Sequence, residues 1–307
     1  MTPFRHVVAL AGGVGGSRLA QGLARALPPE ALTVVVNTGD DLVHVGLTVC
    51  PDLDTLMYTL SGLGDRERGW GLRDESFRAM EMLGRYGGPT WFALGDRDLG
   101  THLARTMQLA AGASLTSVTA HLCASVGVHT RLLPMSDGTR KTIIETTDGE
   151  RLPFQDWLVG RRAVPRVKSV TRVGEGVATP EVLRALDDAD LVVVCPSNPY
   201  VSIDPILELP GVRERVAQKR VVALSPIVGG RAVKGPLGTM IPDLMGVPAS
   251  AAAIVQHYGG LLSALVVEHG DAIDIALPCR ETRTVMGDEH DRERLARELL
   301  AFAAELP

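Results

Sequence analysis

The chain has 307 residues, 45% of them hydrophobic and 22% charged, with a net charge of −5. That balance suits a soluble protein with a sizeable core and excludes the basic field that nucleic-acid binding requires. Four cysteines (Cys50, Cys123, Cys195 and Cys279) stand far apart with no C-x-x-C pair, which argues against a zinc knuckle or disulfide framework and predicts a reducing cytoplasm.

No apolar run reaches transmembrane length, so no membrane partner is expected. Val7 to Ala11 reads as a buried strand. It runs into Gly12, Gly13, Val14, Gly15, Gly16, Ser17 and Arg18, and then a helix with Leu19, Leu23, Ala26 and Leu27 at helical spacing. Glycines let a ligand approach the main chain, and a helix N-terminus offers free N–H groups to a phosphate. The loop fits neither common fingerprint. Arg18 stands where a dinucleotide motif needs glycine, and no Gly-Lys-Ser/Thr follows. A tight strand–helix turn without a ligand is the alternative.

Thr33 to Val36 is a second strand, ending in Asn37, Thr38, Gly39, Asp40 and Asp41. An acid at this position grips a ribose in dinucleotide folds, but here it is Asn37. Adjacent carboxylates near a phosphate site call for a cation or water between them, although Gly-Asp is also good turn chemistry. Cys50 to Thr55 leads into a helix predicted over Thr55 to Leu63. Asp54 suits its N-cap, whereas Asp52 has no such local role. The two acidic loops can converge on one magnesium.

Trp70 to Tyr86 reads as loop, then helix. The apolar run at Trp91 ends in Gly95, Asp96, Arg97 and Asp98 before a helix predicted over Leu99 to Ala111. Asp98 can cap that helix. His102 is either a phosphate or base partner or a packed histidine. From Arg131 to Thr171, short strands alternate with Asp-Gly turns at Asp137 and Asp148, which predicts a β insertion or lid over 131–175.

The α/β rhythm returns with a helix over Pro180 to Leu186 and strands at Asp190 to Cys195 and Val221 to Ser225. The loops after those strands carry Ser197 and Asn198, then Gly229, Gly230 and Lys234. Ligands of open parallel sheets bind beyond the carboxyl ends of the strands, and several such ends here carry suitable groups. Further on, a helix over Ala249 to Tyr258, strands at Ala264 to Val267 and Ile273 to Ala276, and an amphipathic helix over Arg292 to Leu306 complete the core. The last is also a candidate dimer face. The expected fold is a Rossmann-like, three-layer, mostly parallel α/β domain over 1–307 with a smaller β-rich insertion.

Six motifs in order resemble the 2-phospho-L-lactate transferase family of coenzyme F420 biosynthesis. They are Gly12-Gly-Val-Gly-Gly-Ser-Arg18, Asn37-Thr-Gly-Asp-Asp41, Pro51-Asp-Leu-Asp-Thr55, Leu94-Gly-Asp-Arg-Asp-Leu99, Cys195-Pro-Ser-Asn-Pro199 and Ser225-Pro-Ile-Val-Gly-Gly230 with Lys234-Gly-Pro236. The resemblance implies transfer of a phospho-organic acid (lactate, enolpyruvate or glycerate type) from a guanosine-diphospho donor to the deazaflavin Fo. The products would be GMP and F420-0 or its dehydro form, with magnesium as cofactor and a homodimer as the assembly. On this reading Gly12, Gly13, Gly15, Gly16, Ser17, Arg18, Ser197, Asn198, Gly229, Gly230 and Lys234 hold the donor. Asn37, Thr38, Asp40, Trp91, Asp96 and His102 hold the deazaflavin. Asp41 and Asp54 lead both catalysis and the metal site, with Asp40 and Asp52 behind them. The competing readings are a non-catalytic sugar-nucleotide sensor of the same superfamily and a Rossmann oxidoreductase. Arg18 and Asn37 count against the oxidoreductase.

Overall fold

The computed structural model describes residues 3–306; Met1, Thr2 and Pro307, at the ends of the expected single domain, lie outside the described residues. Seven strands, all parallel, form the central sheet in the spatial order Cys279–Glu281, Ala264–Val267, Arg220–Leu224, Leu191–Val194, Val7–Ala11, Leu32–Val36 and Arg131–Pro134. Val7–Ala11 lies near the middle, with Leu10 level with Val35 on one side and Val194 on the other. All five of its residues are buried, because helices cover both faces of a parallel sheet. Val8 and Leu10 face one core layer, and Val7, Ala9 and Ala11 face the other.

The first face is covered by Pro180–Asp188, Leu237–Met245 and Ala251–Tyr258, the second by Gly13–Ala26, Pro51–Leu60 and Glu289–Glu305. The last helix approaches Gly13–Ala26 so closely that a side chain on Gly22 would strike the backbone of Arg292. The chain winds outward from Val7–Ala11 first to one edge and then to the other. The glycine loop therefore lies at the topological switch point, where such sheets open a crevice.

Three local readings differ from expectation. Arg131–Pro134, expected within the insertion, pairs with Leu32–Val36 as the edge of the main sheet. The insertion itself is a three-stranded antiparallel sheet of Arg151–Pro153, Lys141–Thr146 and Val167–Val173. Ile273 to Ala276 is not a strand, because Asp274 turns the backbone at φ 57°; the edge strand forms at Cys279–Glu281 instead. The helices expected from Thr55 and Leu99 start earlier, at Pro51 and Asp96. Pro51 stands in the first helical turn, where its missing N–H costs nothing. A hairpin of Leu42–His44 and Leu47–Val49 bridges the two acidic loops around Val45 and Gly46, both at positive φ. No helix of the described residues is long and apolar enough to cross a membrane.

Candidate functional site: two chambers across an acidic wall

The glycine loop is tied down from two sides. Gly12 N–H donates to Ser197 Oγ at 3.0 Å, and the same hydroxyl donates to the Gly12 carbonyl at 2.8 Å. Gly13 N–H donates to Asp52 Oδ1 at 2.8 Å, while Asn37 Nδ2 donates to Asp52 Oδ2 at 2.9 Å. Asn37 also donates to the Val201 carbonyl and accepts from Gly39 N–H. Asp52 thus clips together the ends of the first two strands, and Asn37 serves as an internal brace. Glycine is required at Gly12 and Gly15 by the protein itself. A side chain there would meet Asp52 and Ser202 in the first case and the Pro196 carbonyl in the second.

Asp40 and Asp52 are buried, and Asp41 is half-buried. Burial pushes the Asp52 carboxyl up to about 6 against its hydrogen bonds from Asn37 and Gly13. Asp40 and Asp41 are held well above the usual carboxylate range, first by burial and then, for Asp40, by the neighbouring Asp52. Oδ1 of each is shut from solvent and has no hydrogen-bond partner. Asp54 is differently placed. Arg105 grips both of its oxygens, Nη1 reaching Oδ2 at 3.1 Å, and the buried His102 lies 3.7 Å away. His102 also faces Asp98 at 3.3 Å, whose other oxygen accepts from Tyr58 OH at 2.6 Å.

Two chambers flank this wall. The first, about 570 Å³, is lined by Gly12, Gly13, Gly15 and Arg18, by Ser197 and Asn198, and by Asp40, Asp52 and Lys234. Gly16 packs on Ser197 instead, and Ser17 Oγ turns back to the Val14 carbonyl. Gly229 and Gly230 lie outside the lining, on the exposed turn of a small hairpin where Gly229 N–H donates to Asp271. Lys234 is exposed and donates to the Arg68 carbonyl at 2.8 Å.

The second chamber, 340 Å³, is mostly apolar, with Trp70, Trp91, Phe92, Tyr58 and Leu158 around His102. Trp91 meets His44 and Phe92 edge to face at 5.4 and 5.6 Å. Asp96 lies outside it. Its carboxylate accepts from Ser76 and from the backbone N–H groups of Arg78 and Ala79 at the start of the preceding helix, Arg78–Arg85. Thr38 is buried, with its hydroxyl unpartnered.

The chambers share three wall residues: Asp52, Gln155 and Leu158. The last two come from the insertion, at the π-helical turn Asp156–Gly160, which Trp157 anchors by donating to the Pro165 carbonyl at 2.8 Å. Sequence reasoning missed Gln155, Leu158, Tyr58, Trp70 and Arg105. Only Arg105 left a signal, being three residues after His102 on one face of a helix.

Fold and site together define a doubly wound α/β protein with two adjoining small-molecule chambers at its switch point. The chain belongs to the 2-phospho-L-lactate transferase CofD family, whose profile matches residues 7–305. It is therefore a transferase of the phospho-organic-acid class that serves coenzyme F420 biosynthesis. It is 45% identical to the phosphoenolpyruvate transferase of Streptomyces griseus, covering 98% of this chain and 99% of the relative. The phosphoenolpyruvate transferase of Thermobifida fusca is also 45% identical, over 95% of this chain and 94% of the relative. Among solved structures, a protein of the UPF0052 family from Bacillus halodurans superposes with a TM-score of 0.66 at 16% identity, over 98% of this chain and 100% of that one, which shows the shared fold.

Proposed function

We propose that this chain moves phosphoenolpyruvate from a guanosine-diphospho donor to the ribityl hydroxyl of the deazaflavin Fo, giving dehydro-F420-0 and GMP. The observation that carries this reading is the junction of a glycine-lined polar chamber with an aromatic one across Asp52. The polar chamber suits the donor diphosphate, with backbone N–H groups and Lys234 as counter-charges. The aromatic chamber suits a flat tricycle, which wants apolar faces and few polar edges. The choice of enolpyruvate rests on the names of the relatives.

The unpartnered Oδ1 atoms of Asp40 and Asp41 fit a hard cation. Among the described residues no set of three or more His, Cys, Asp and Glu groups gathers to hold a metal alone. Magnesium takes one or two carboxylates and completes its shell with water and phosphate. When bound, it would neutralise charge on the diphosphate. Asp54 is assigned a positioning role, because Arg105 occupies its carboxylate. Asp52 is the acid that lines both chambers. We assign it the hydroxyl's proton as the new oxygen–phosphorus bond forms and the bond to the GMP oxygen breaks, since a general base works best with a pKa near the operating pH.

The test is incubation with Fo and each of the lactyl, enolpyruvyl and glyceryl donors, read by mass spectrometry of the deazaflavin product and by GMP release. A dehydro-F420-0 product supports the assignment. Binding of the nucleotide without GMP release would support the regulatory reading instead.

A further inference from the structure

A third, smaller cavity lies between the two chambers. It shares Val14 and Arg18 with the donor chamber, and Thr55, Tyr58, Trp70 and Gly71 with the aromatic one. Its volume of about 30 Å³ is room for a carboxylate-sized group; one water needs roughly 10–15 Å³ on this measure.

Its lining holds three arginines, Arg18, Arg66 and Arg292, and two acids, Asp65 and Glu289. Arg292 is 6% exposed, bonds to Gln21 Oε1 through one terminal nitrogen, and has a buried Nε with no partner. Arg18 donates to the Met286 carbonyl, at 3.2 Å. Among the described residues neither forms an ion pair, whereas Arg66 at the outer wall is paired with Glu289. Burial, Arg18 and Arg66 weigh against the charge on Arg292, while the carboxylates of Glu289 and Asp288 weigh for it without bonding to it. A buried guanidinium with no direct carboxylate partner is costly, and an anion bound beside it lowers that cost.

We propose that Arg292 and Arg18 hold the carboxylate of the transferred acid, so that the cavity is the recognition site for the acid end of the donor. This rests on the reaction proposed above. The transferred group must reach both the donor and the acceptor chamber, and this cavity shares wall residues with each. Two parallel N–H donors suit a carboxylate.

The test uses phosphoenolpyruvate, inorganic phosphate and GDP as separate probes in calorimetry, with wild type, Arg292→Gln and Arg292→Lys. Wild type is expected to bind phosphoenolpyruvate at least tenfold more tightly than phosphate. Arg292→Gln should erase that preference while GDP affinity stays within twofold, and Arg292→Lys should restore part of it. Thermal melts exclude unfolding, and Arg18→Gln provides a second route should Arg292→Gln fail to fold. Equal binding of the two acids by wild type, or a preference that survives in both Gln variants, would overturn the proposal. Failure of the reaction itself appears separately, as absence of GMP release by wild type with every donor.

Discussion

Arg105 closes on both carboxylate oxygens of Asp54, and each residue is almost wholly buried. The pair joins Pro51–Leu60 to Asp96–Ala110, the two helices that carry one side of the aromatic chamber. Breaking it from either side leaves a charge or polar group stranded in the core. Asp54→Ala should therefore lower stability by about 3–5 kcal/mol, as expected for a broken buried pair. Chemical denaturation checks this. The magnesium concentration giving half-maximal rate should stay at the wild-type value in whatever folded fraction remains.

Asp41→Asn should behave in the opposite way. It removes one of a set of crowded, partly charged carboxyls, so the melting temperature should hold or rise. Initial rates of GMP release should fall by at least a hundredfold, with the residual rate needing more magnesium. Unchanged magnesium dependence would exclude Asp41 as a ligand.

The raised carboxyl of Asp52 sets a pH dependence with a definite sign. Its folded value is about 6 against an ordinary 3.8. Between those values the folded chain holds more protons than the unfolded one, so stability falls as pH rises through this window. Asp52→Asn should flatten that part of the metal-free melting curve. The difference between wild-type and variant melting temperatures from pH 4 to pH 7 isolates the effect, and parallel curves would refute it.

Trp91 is partly exposed at the mouth of the aromatic chamber, braced by His44 and Phe92. Trp91→Ala should weaken Fo binding by about tenfold, equivalent to roughly 1.4 kcal/mol, while GDP affinity is unchanged. Fo fluorescence quenching and GDP calorimetry on the same preparation separate the two. Equal losses would indicate general unfolding.

Much of the frame was legible from local pattern. The strands at Val7, Thr33, Asp190 and Val221 are short runs of buried β-branched residues, and a parallel core needs little else. The helix over Leu115–Ser125 and the Leu42–Val49 hairpin went unread, the first because its apolar stripe is weak and the second because its strands are three residues each. Within the site, glycine loops and acids marked the right strand ends. What the sequence left open was which partner each side chain faces. Asp54 looks like Asp52 in the chain, but the first meets Arg105 and the second the Gly13 amide. Those partners are 51 and 39 residues away, beyond the reach of spacing rules.

The turn from Phe154 to Gly160 divides its labour residue by residue. Phe154 and Trp157 sink into the core, Phe154 also lining the polar chamber; Gln155, Leu158 and Val159 line the aromatic one, with Leu158 packed on the core as well. Trp157 anchors without lining either chamber, and the exposed Val159 lines the aromatic chamber without packing on the core. The segment belongs to the insertion and contributes no strand to the seven-stranded sheet. The aromatic chamber can accordingly be reshaped, in evolution or in the laboratory, by exchange at 159 without taxing the scaffold. The rest of that wall, which also carries the core, has no such freedom.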